Sequence, residues 1–140
     1  MTYAIDTNVI FDILLDVPGY SQAAIDFLSK RMDCDSFLAC DVVWAEASAG
    51  FPDKAEFRRR MADLRISFSP MPESASVLAG SIWKTARSEL ASAGKPRTAI
   101  VPDFLVAAHA MECADGLVTR DRGFLRSWFS GLKILDPMDA

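Results

Sequence analysis

The fold prediction starts from the stretch Thr2-Tyr3-Ala4-Ile5-Asp6. This stretch leads directly into an apolar segment at residues 8–15. We predict a strand over residues 2–5 that ends at Asp6, and a short helix over residues 8–15. Strand-like runs alternate with helical patterns along the rest of the chain. That alternation is typical of an α/β domain with a parallel sheet.

The remaining sequence predicts four more strands, at residues 36–40, 65–69, 117–119 and 132–135. Helical spacing of apolar residues predicts helices at residues 21–32, 41–50, 53–64, 73–93, 102–113 and 124–129. We expect Asp41 to be the N-cap of the helix at 41–50, because aspartate is a favoured capping residue. The inward face of the helix at 73–93 is predicted to consist of Val77, Leu78, Ile82, Ala86 and Leu90.

The composition is that of one ordered globular domain. The chain has 140 residues, of which 51% are hydrophobic, and this size fits a single domain over residues 1–140. No apolar run approaches the roughly 20 residues that a membrane-spanning helix needs. The N-terminus has neither a basic start nor a long apolar stretch, so we expect no secretory signal, no membrane association and a cytoplasmic location.

The cysteines and the histidine restrict the kind of metal site the chain can build. Cys34, Cys40 and Cys113 are odd in number and match no zinc-binding spacing, so a disulfide framework or zinc site is not expected. His109 is the one histidine, and it lies in an apolar run typical of a packed helix. Any metal site must therefore be built from oxygen ligands, which favours Mg²⁺ or Mn²⁺.

Two of the acidic residues stand in or beside helices whose neighbouring positions are apolar. Glu46 has Val42, Val43 and Ala49 one turn away on its helix, so we expect its carboxylate on an apolar face, near a counter-charge, a metal or water. Asp103 lies in the first turn of its helix, where a capping role is equally reasonable because acids favour helix N-termini.

Two further acids follow strands. Asp6 ends the first strand, and Asp121 follows the strand at 117–119. Residues at the carboxyl ends of parallel strands line the ligand crevice of open α/β sheets, although a lone aspartate there is more often a cap or turn residue. Together with Glu46 and Asp103 they could converge on one edge of the sheet, where a divalent cation would relieve their mutual repulsion.

Four segments in order carry a resemblance to a known family. They are Ile5-Asp6-Thr7-Asn8-Val9-Ile10, Val43-Trp44-Ala45-Glu46, Pro102-Asp103-Phe104-Leu105-Val106-Ala107-Ala108-His109-Ala110 and Leu117-Val118-Thr119-Arg120-Asp121. The set resembles the PIN-domain family, and within it the toxin ribonucleases of VapBC type, over almost the whole chain. The resemblance implies a PIN-like three-layer α/β/α domain with a central, mostly parallel sheet of four to five strands.

The resemblance also implies a site. Its acidic quartet, which binds one or two Mg²⁺ or Mn²⁺ ions and is catalytic, corresponds to Asp6, Glu46, Asp103 and Asp121. The flanking polar positions correspond to Thr7, Asn8 and Thr119, which would support the carboxylates from behind. Many relatives carry another acid two residues after Asp121, where this chain has Gly123, and this puts a second metal in doubt.

The implied activity is hydrolysis of RNA phosphodiester bonds by a metal-activated water, leaving a 5′-phosphate and a 3′-hydroxyl. The net charge of −4 is a mild argument against a nucleic-acid partner, but carboxylates that bind a metal make the loaded surface less acidic. We expect Arg97, Arg120 and Arg122 to contact RNA phosphates. The resemblance further implies a cognate antitoxin protein and a homodimer.

Three other functions remain open. A phosphatase that forms an aspartyl-phosphate also begins with a strand-end aspartate, but it normally has a second aspartate where this chain has Asn8. A catalytically silent PIN-like module that binds RNA or protein is a second alternative, which the four acids argue against. A DNA-cleaving or ribosomal-RNA-processing member of the same superfamily is the third.

Overall fold

A computed structural model describes residues 1–121, 123 and 127–139 of the chain. The strands are β1 (Thr2–Ile5), β2 (Ser36–Cys40), β3 (Ile66–Ser69), β4 (Gly116–Val118) and β5 (Ile134–Leu135). The helices are α1 (Thr7–Leu14), α2 (Ser21–Arg31), α3 (Asp41–Ala49), α4 (Lys54–Asp63), α5 (Glu73–Ser92) and α6 (Pro102–Cys113), and a 3₁₀ turn spans Pro137–Asp139. The predicted elements are confirmed, with ends displaced by no more than two residues, except that the helix predicted at 124–129 includes residues 124–126, which lie outside the described part.

The five strands form one sheet in the order β3-β2-β1-β4-β5, and every described pairing is parallel. The predicted α/β domain with a mostly parallel sheet of four to five strands is therefore confirmed, as a three-layer α/β/α arrangement. The chain runs outward from β1 to β2 and β3, and then returns to the other side of β1 to form β4. Adjacent strands whose connections leave in opposite directions open a crevice at their carboxyl ends, so the crevice lies between β1 and β4.

The two strands beside this crevice are buried on both faces. Tyr3, Ala4 and Ile5 of β1 and Leu117 and Val118 of β4 are all 3% exposed or less. Central strands of a parallel sheet are covered by helices on both sides, which explains why they read as continuous apolar runs and not as alternating ones. The crevice therefore has well-packed, buried walls.

The N-terminus of α3 differs from the prediction. The N-cap is Cys40, with extended φ and ψ of −74° and 167°, and Asp41 is the first residue of the helix itself. The Asp41 carboxylate accepts a hydrogen bond from the Val42 N–H at 3.1 Å. Because β2 passes into α3 without a linker, the last strand residue already has the extended conformation that a cap requires.

The inward face of α5 also differs. Val77 is 64% exposed, and the fully buried positions are Ala75, Ala79, Trp83 and Ala86, of which only Ala86 was predicted. Leu78, Ile82 and Leu90 lie half-buried beside them and pack against the core. Alanines face inward because α5 packs along α6, and small side chains allow two helices to approach closely. None of the described helices combines the length and apolar character needed to cross a bilayer.

Candidate metal centre

Asp6 is the first residue beyond β1 and lies at the mouth of the crevice. It is the N-cap of α1, with φ −79° and ψ 156°, and its Oδ1 accepts a hydrogen bond from the Thr7 N–H at 2.7 Å. Its backbone N–H donates to the Val118 carbonyl of β4 at 3.0 Å. Asp6 is therefore tied to both strands of the crevice through its main chain, and the residue is only 6% exposed.

Thr119, directly after β4, supports Asp6 from the other side of the crevice. Its hydroxyl donates to Asp6 Oδ2 at 2.8 Å and accepts from Asn8 Nδ2 at 3.1 Å and from the Asp121 N–H at 3.1 Å. A hydroxyl offers one donor and two acceptor sites, so all three are used. The Thr119 proton is thereby committed to Asp6, while Asn8 Nδ2 adds a longer contact of 3.4 Å to the same oxygen.

Glu46 reaches this cluster from α3 through Thr7. The Thr7 hydroxyl donates to Glu46 Oε1 at 2.9 Å. The prediction that Glu46 lies on an apolar face is wrong, since Val43 and Ala47 form the buried face of α3 and Glu46 is exposed. Apolar residues one turn away did not mark a buried face, because Val42 is only half-buried and Ala49 is exposed.

Asp103 and Asp121 form the other half of the cluster. Asp103 is half-buried in the first turn of α6, and Asp121 follows β4 and Thr119. Both line a cavity of about 390 Å³, together with Lys95 and Arg97 of the loop that precedes α6, and with Leu90 and Val101. The structure thus brings Arg97 beside two of the predicted acids.

The charges of the four carboxylates act on one another. Burial raises the pKa of Asp6 to about 6; hydrogen bonds from Thr119 and Thr7 oppose this rise, and the charges of Asp103 and Glu46 add to it. Burial likewise raises the pKa of Asp103, with further contributions from Asp121 and Glu46. Each of the four carboxylates therefore either influences the ionisation of another one or has its own ionisation influenced by another.

The donor set fits a hard divalent cation. All candidate ligands are oxygens, which Mg²⁺ and Mn²⁺ prefer, and the mutual repulsion of the acids is what a bound cation relieves. Within the described residues no three histidine, cysteine or acidic side chains already stand in ligating positions around one point. Mg²⁺ does not require such a cage, because it commonly keeps several waters and takes one or two carboxylates.

Arg120 has a partner that sequence analysis missed. Its Nε and Nη2 donate to Asp12 Oδ2 and Oδ1 at 2.6 and 3.1 Å, and its guanidinium lies 4.1 Å from the centre of the Tyr20 ring. The role of Arg120 in holding RNA stays a prediction, and Arg122 lies outside the described residues. A single carboxylate within the apolar run at residues 9–14 of α1 was the signal that would have identified Asp12.

Comparisons with known proteins agree with the fold. A family model described as PIN domain matches residues 3–127. VapBC2 from Rickettsia felis, solved bound to a DNA fragment from its promoter, is similar over 97% of this chain and 98% of its own, with a TM-score of 0.69 and 20% identity. VapBC-1 from nontypeable Haemophilus influenzae is similar over 99% of both chains, with a TM-score of 0.68 and 20% identity. A toxin–antitoxin complex from Klebsiella pneumoniae is similar over 96% of this chain and 97% of its own, with a TM-score of 0.61 and 19% identity. No curated protein sequence matches.

Proposed function

The chain belongs to the PIN-domain family, and from that premise we propose that it is a Mg²⁺- or Mn²⁺-dependent endoribonuclease and the toxin of a toxin–antitoxin pair. The observation that carries the proposal is that the four acids interact electrostatically around the crevice between β1 and β4. Two of them, Asp103 and Asp121, also share a cavity with the basic side chains of Lys95 and Arg97. Carboxylates are good ligands for the divalent ion, and the positively charged side chains of Lys95 and Arg97 can bind the phosphates of the substrate.

The ion would be held by carboxylates of Asp6, Glu46, Asp103 and Asp121. When bound, it supplies Lewis-acid stabilisation of the phosphodiester and a more acidic water. The protein supplies the positions of the ligands: Thr7 and Thr119 orient Asp6, and Thr7 also orients Glu46. Outer hydrogen bonds of this kind fix the direction of ligand lone pairs before the ion arrives.

The RNA substrate would contact the basic residues that line the cavity. Lys95 and Arg97 are exposed at its rim and attract the phosphates that the acids would otherwise repel. The four carboxylates would act chiefly as ligands of the ion, and any one of them could take the proton of the attacking water. Arg122 remains a predicted phosphate contact on the basis of the sequence alone.

The toxin assignment draws on a different observation. Complexes of VapBC type and a toxin–antitoxin complex share this fold along nearly the full length of both chains. We therefore include in the proposal a cognate antitoxin protein that inhibits the nuclease, a homodimer, and a cytoplasmic site of action. Inhibition of RNA cleavage by the purified antitoxin, and sedimentation of the free chain, test the first two.

The central experiment is RNA cleavage by the purified protein at low salt, with Mg²⁺, with Mn²⁺ and with chelator. Asp6→Asn is the test variant, and Asp63→Asn, which changes an exposed acid at the end of α4, is the matched control. Metal-dependent cleavage that is lost in Asp6→Asn and kept in Asp63→Asn supports the proposal. Equal cleavage by all three proteins indicates a contaminant.

Other outcomes identify the alternatives. RNA binding with neither cleavage nor calorimetric Mn²⁺ binding overturns the nuclease and favours a silent binding module. Hydrolysis of phosphomonoesters without RNA cleavage favours the phosphatase. Cleavage confined to DNA favours a DNA-cleaving member of the superfamily.

A further inference from the structure

Residue 120 is attached to α1 at two points. Its backbone N–H donates to Asn8 Oδ1 at 3.3 Å, and its guanidinium forms the two-pronged ion pair with Asp12. Asn8 and Asp12 are four residues apart on α1, so they lie one turn apart on the same face of the helix. The main chain and side chain of Arg120 are therefore both fixed against α1.

The ion pair is largely shielded from water on the acidic side. The Asp12 side chain is 3% exposed and that of Arg120 is 32% exposed. A buried carboxylate needs a fixed counter-charge, and a bidentate guanidinium is the partner with the most restricted geometry. Tyr20, packed on the guanidinium, limits its motion out of the plane.

In the chain, Arg120 lies between Thr119 and Asp121, which both belong to the candidate metal centre. Thr119 before it donates to Asp6, and Asp121 after it lines the cavity with Asp103. The contact of the Arg120 N–H with Asn8 Oδ1 also orients the Asn8 amide, because it directs Nδ2 towards Thr119 and Asp6. Displacement of residue 120 would therefore disturb both halves of the cluster.

We propose that Asp12 is a positioning residue for the metal centre: through its ion pair with Arg120 it fixes residues 119–121 against α1 and so sets Asp6 and Asp121 for the divalent ion. This inference rests on the proposed function of the cluster. It gives the Arg120 guanidinium a role different from RNA binding, because its Nε/Nη2 edge already binds Asp12.

The test compares Asp12→Asn, Arg120→Lys and the control Asp63→Asn. Calorimetry measures Mn²⁺ affinity without RNA, and steady-state cleavage separates kcat from KM. Second-sphere changes at metal sites lower affinity or activity by about 10- to 100-fold, and we expect a loss of about tenfold in Mn²⁺ affinity and in kcat for Asp12→Asn, with KM at saturating metal changed less than about twofold.

Arg120→Lys separates positioning from charge. Lysine keeps the positive charge but lacks the planar fork, so we expect it to lose Mn²⁺ affinity as Asp12→Asn does. If Arg120 instead bound an RNA phosphate, lysine would largely preserve that function. The double variant Asp12→Asn/Arg120→Lys is expected to be no worse than either single variant, because two residues that act as one unit are not additive. If Asp12→Asn fails to fold, as judged by circular dichroism, Arg120→Lys alone decides.

Two results would overturn the inference while leaving the nuclease intact. One is Mn²⁺ affinity and kcat equal to wild type in both variants. The other is a lower KM in Asp12→Asn with unchanged Mn²⁺ affinity, since a released Arg120 would then be binding RNA. Wild-type protein that neither binds Mn²⁺ nor cleaves RNA overturns this inference together with the proposed function.

Discussion

The two sides of the carboxylate cluster are built very differently. On the β1/β4 side, Asp6 and Thr119 are 6% and 0% exposed, and the three hydrogen-bonding positions of the Thr119 hydroxyl are occupied. On the other side, residues 93–99 of the loop before Asp103 are all exposed and outside regular structure. We therefore expect a division of work, in which the four carboxylates hold the ion, with Asp6 fixed on the buried β1/β4 side, and the exposed loop contacts the RNA. Changes on the first side should affect kcat and metal binding, and changes on the second should affect KM.

The largest effect is expected for Asp6→Asn. The change removes the most constrained carboxylate, so we expect cleavage to fall by more than about 100-fold in Mg²⁺ or Mn²⁺. Cleavage rates at saturating RNA, beside Asp63→Asn, measure it. A fall of less than threefold would show that Asp6 is a cap of α1 and no part of the reaction.

Thr119→Val should have the next largest effect, of about 10- to 100-fold on Mn²⁺ affinity. Valine removes the hydroxyl that donates to Asp6 and that accepts from the Asp121 N–H and Asn8 Nδ2. Thr119→Ser keeps the hydroxyl and is the matched control, with affinity expected within about threefold of wild type. Equal losses in both variants would assign the effect to packing and not to the hydrogen bonds.

The stability of the metal-free protein should depend on pH through Asp6. Its pKa is raised from 3.8 to about 6 in the fold, so the protonated form favours folding; this contribution is complete below pH 3.8 and is lost as the pH rises through about 6. Asp6→Asn does not titrate there. We expect the free energy of unfolding of the variant relative to wild type to rise by about 3 kcal/mol between pH 4 and pH 8 in chelator. Urea unfolding measures it, and a difference that is independent of pH would contradict the predicted titration.

The smallest effect is expected on the open side. Arg97→Ala should raise KM several-fold, lower the slope of log affinity against log salt by about 1, and leave Mn²⁺ affinity unchanged. Arg58→Ala, which removes an exposed arginine from α4, is the charge-matched control. If the two variants have the same KM and salt slope, the cavity beside Asp103 is not where the RNA backbone binds, and the division between the two sides fails.

Several site predictions depended on neighbours that the sequence could not identify. Glu46 was selected because its helical neighbours are apolar, yet it is exposed and contacts Thr7, 39 residues away. Asp12 carries the same local signal, and its partner Arg120 is 108 residues distant. In α5 the spacing of large aliphatic residues predicted Ala86 correctly, wrongly included Val77, and missed Ala75, Ala79 and Trp83, because close packing against α6 favours small side chains.

By itself the sequence determined the order and kind of the elements, the parallel sheet, and the placement of Asp6 and Asp103 at element boundaries. These follow from local rules, since apolar period, capping residues and strand-to-helix transitions act over a few residues. Only the tertiary structure decided that β1 and β4 are neighbours, that Thr119 donates to Asp6, and that Arg120 pairs with Asp12. Such contacts join positions about a hundred residues apart, and they exist only after the whole sheet has paired and the helices have packed onto it.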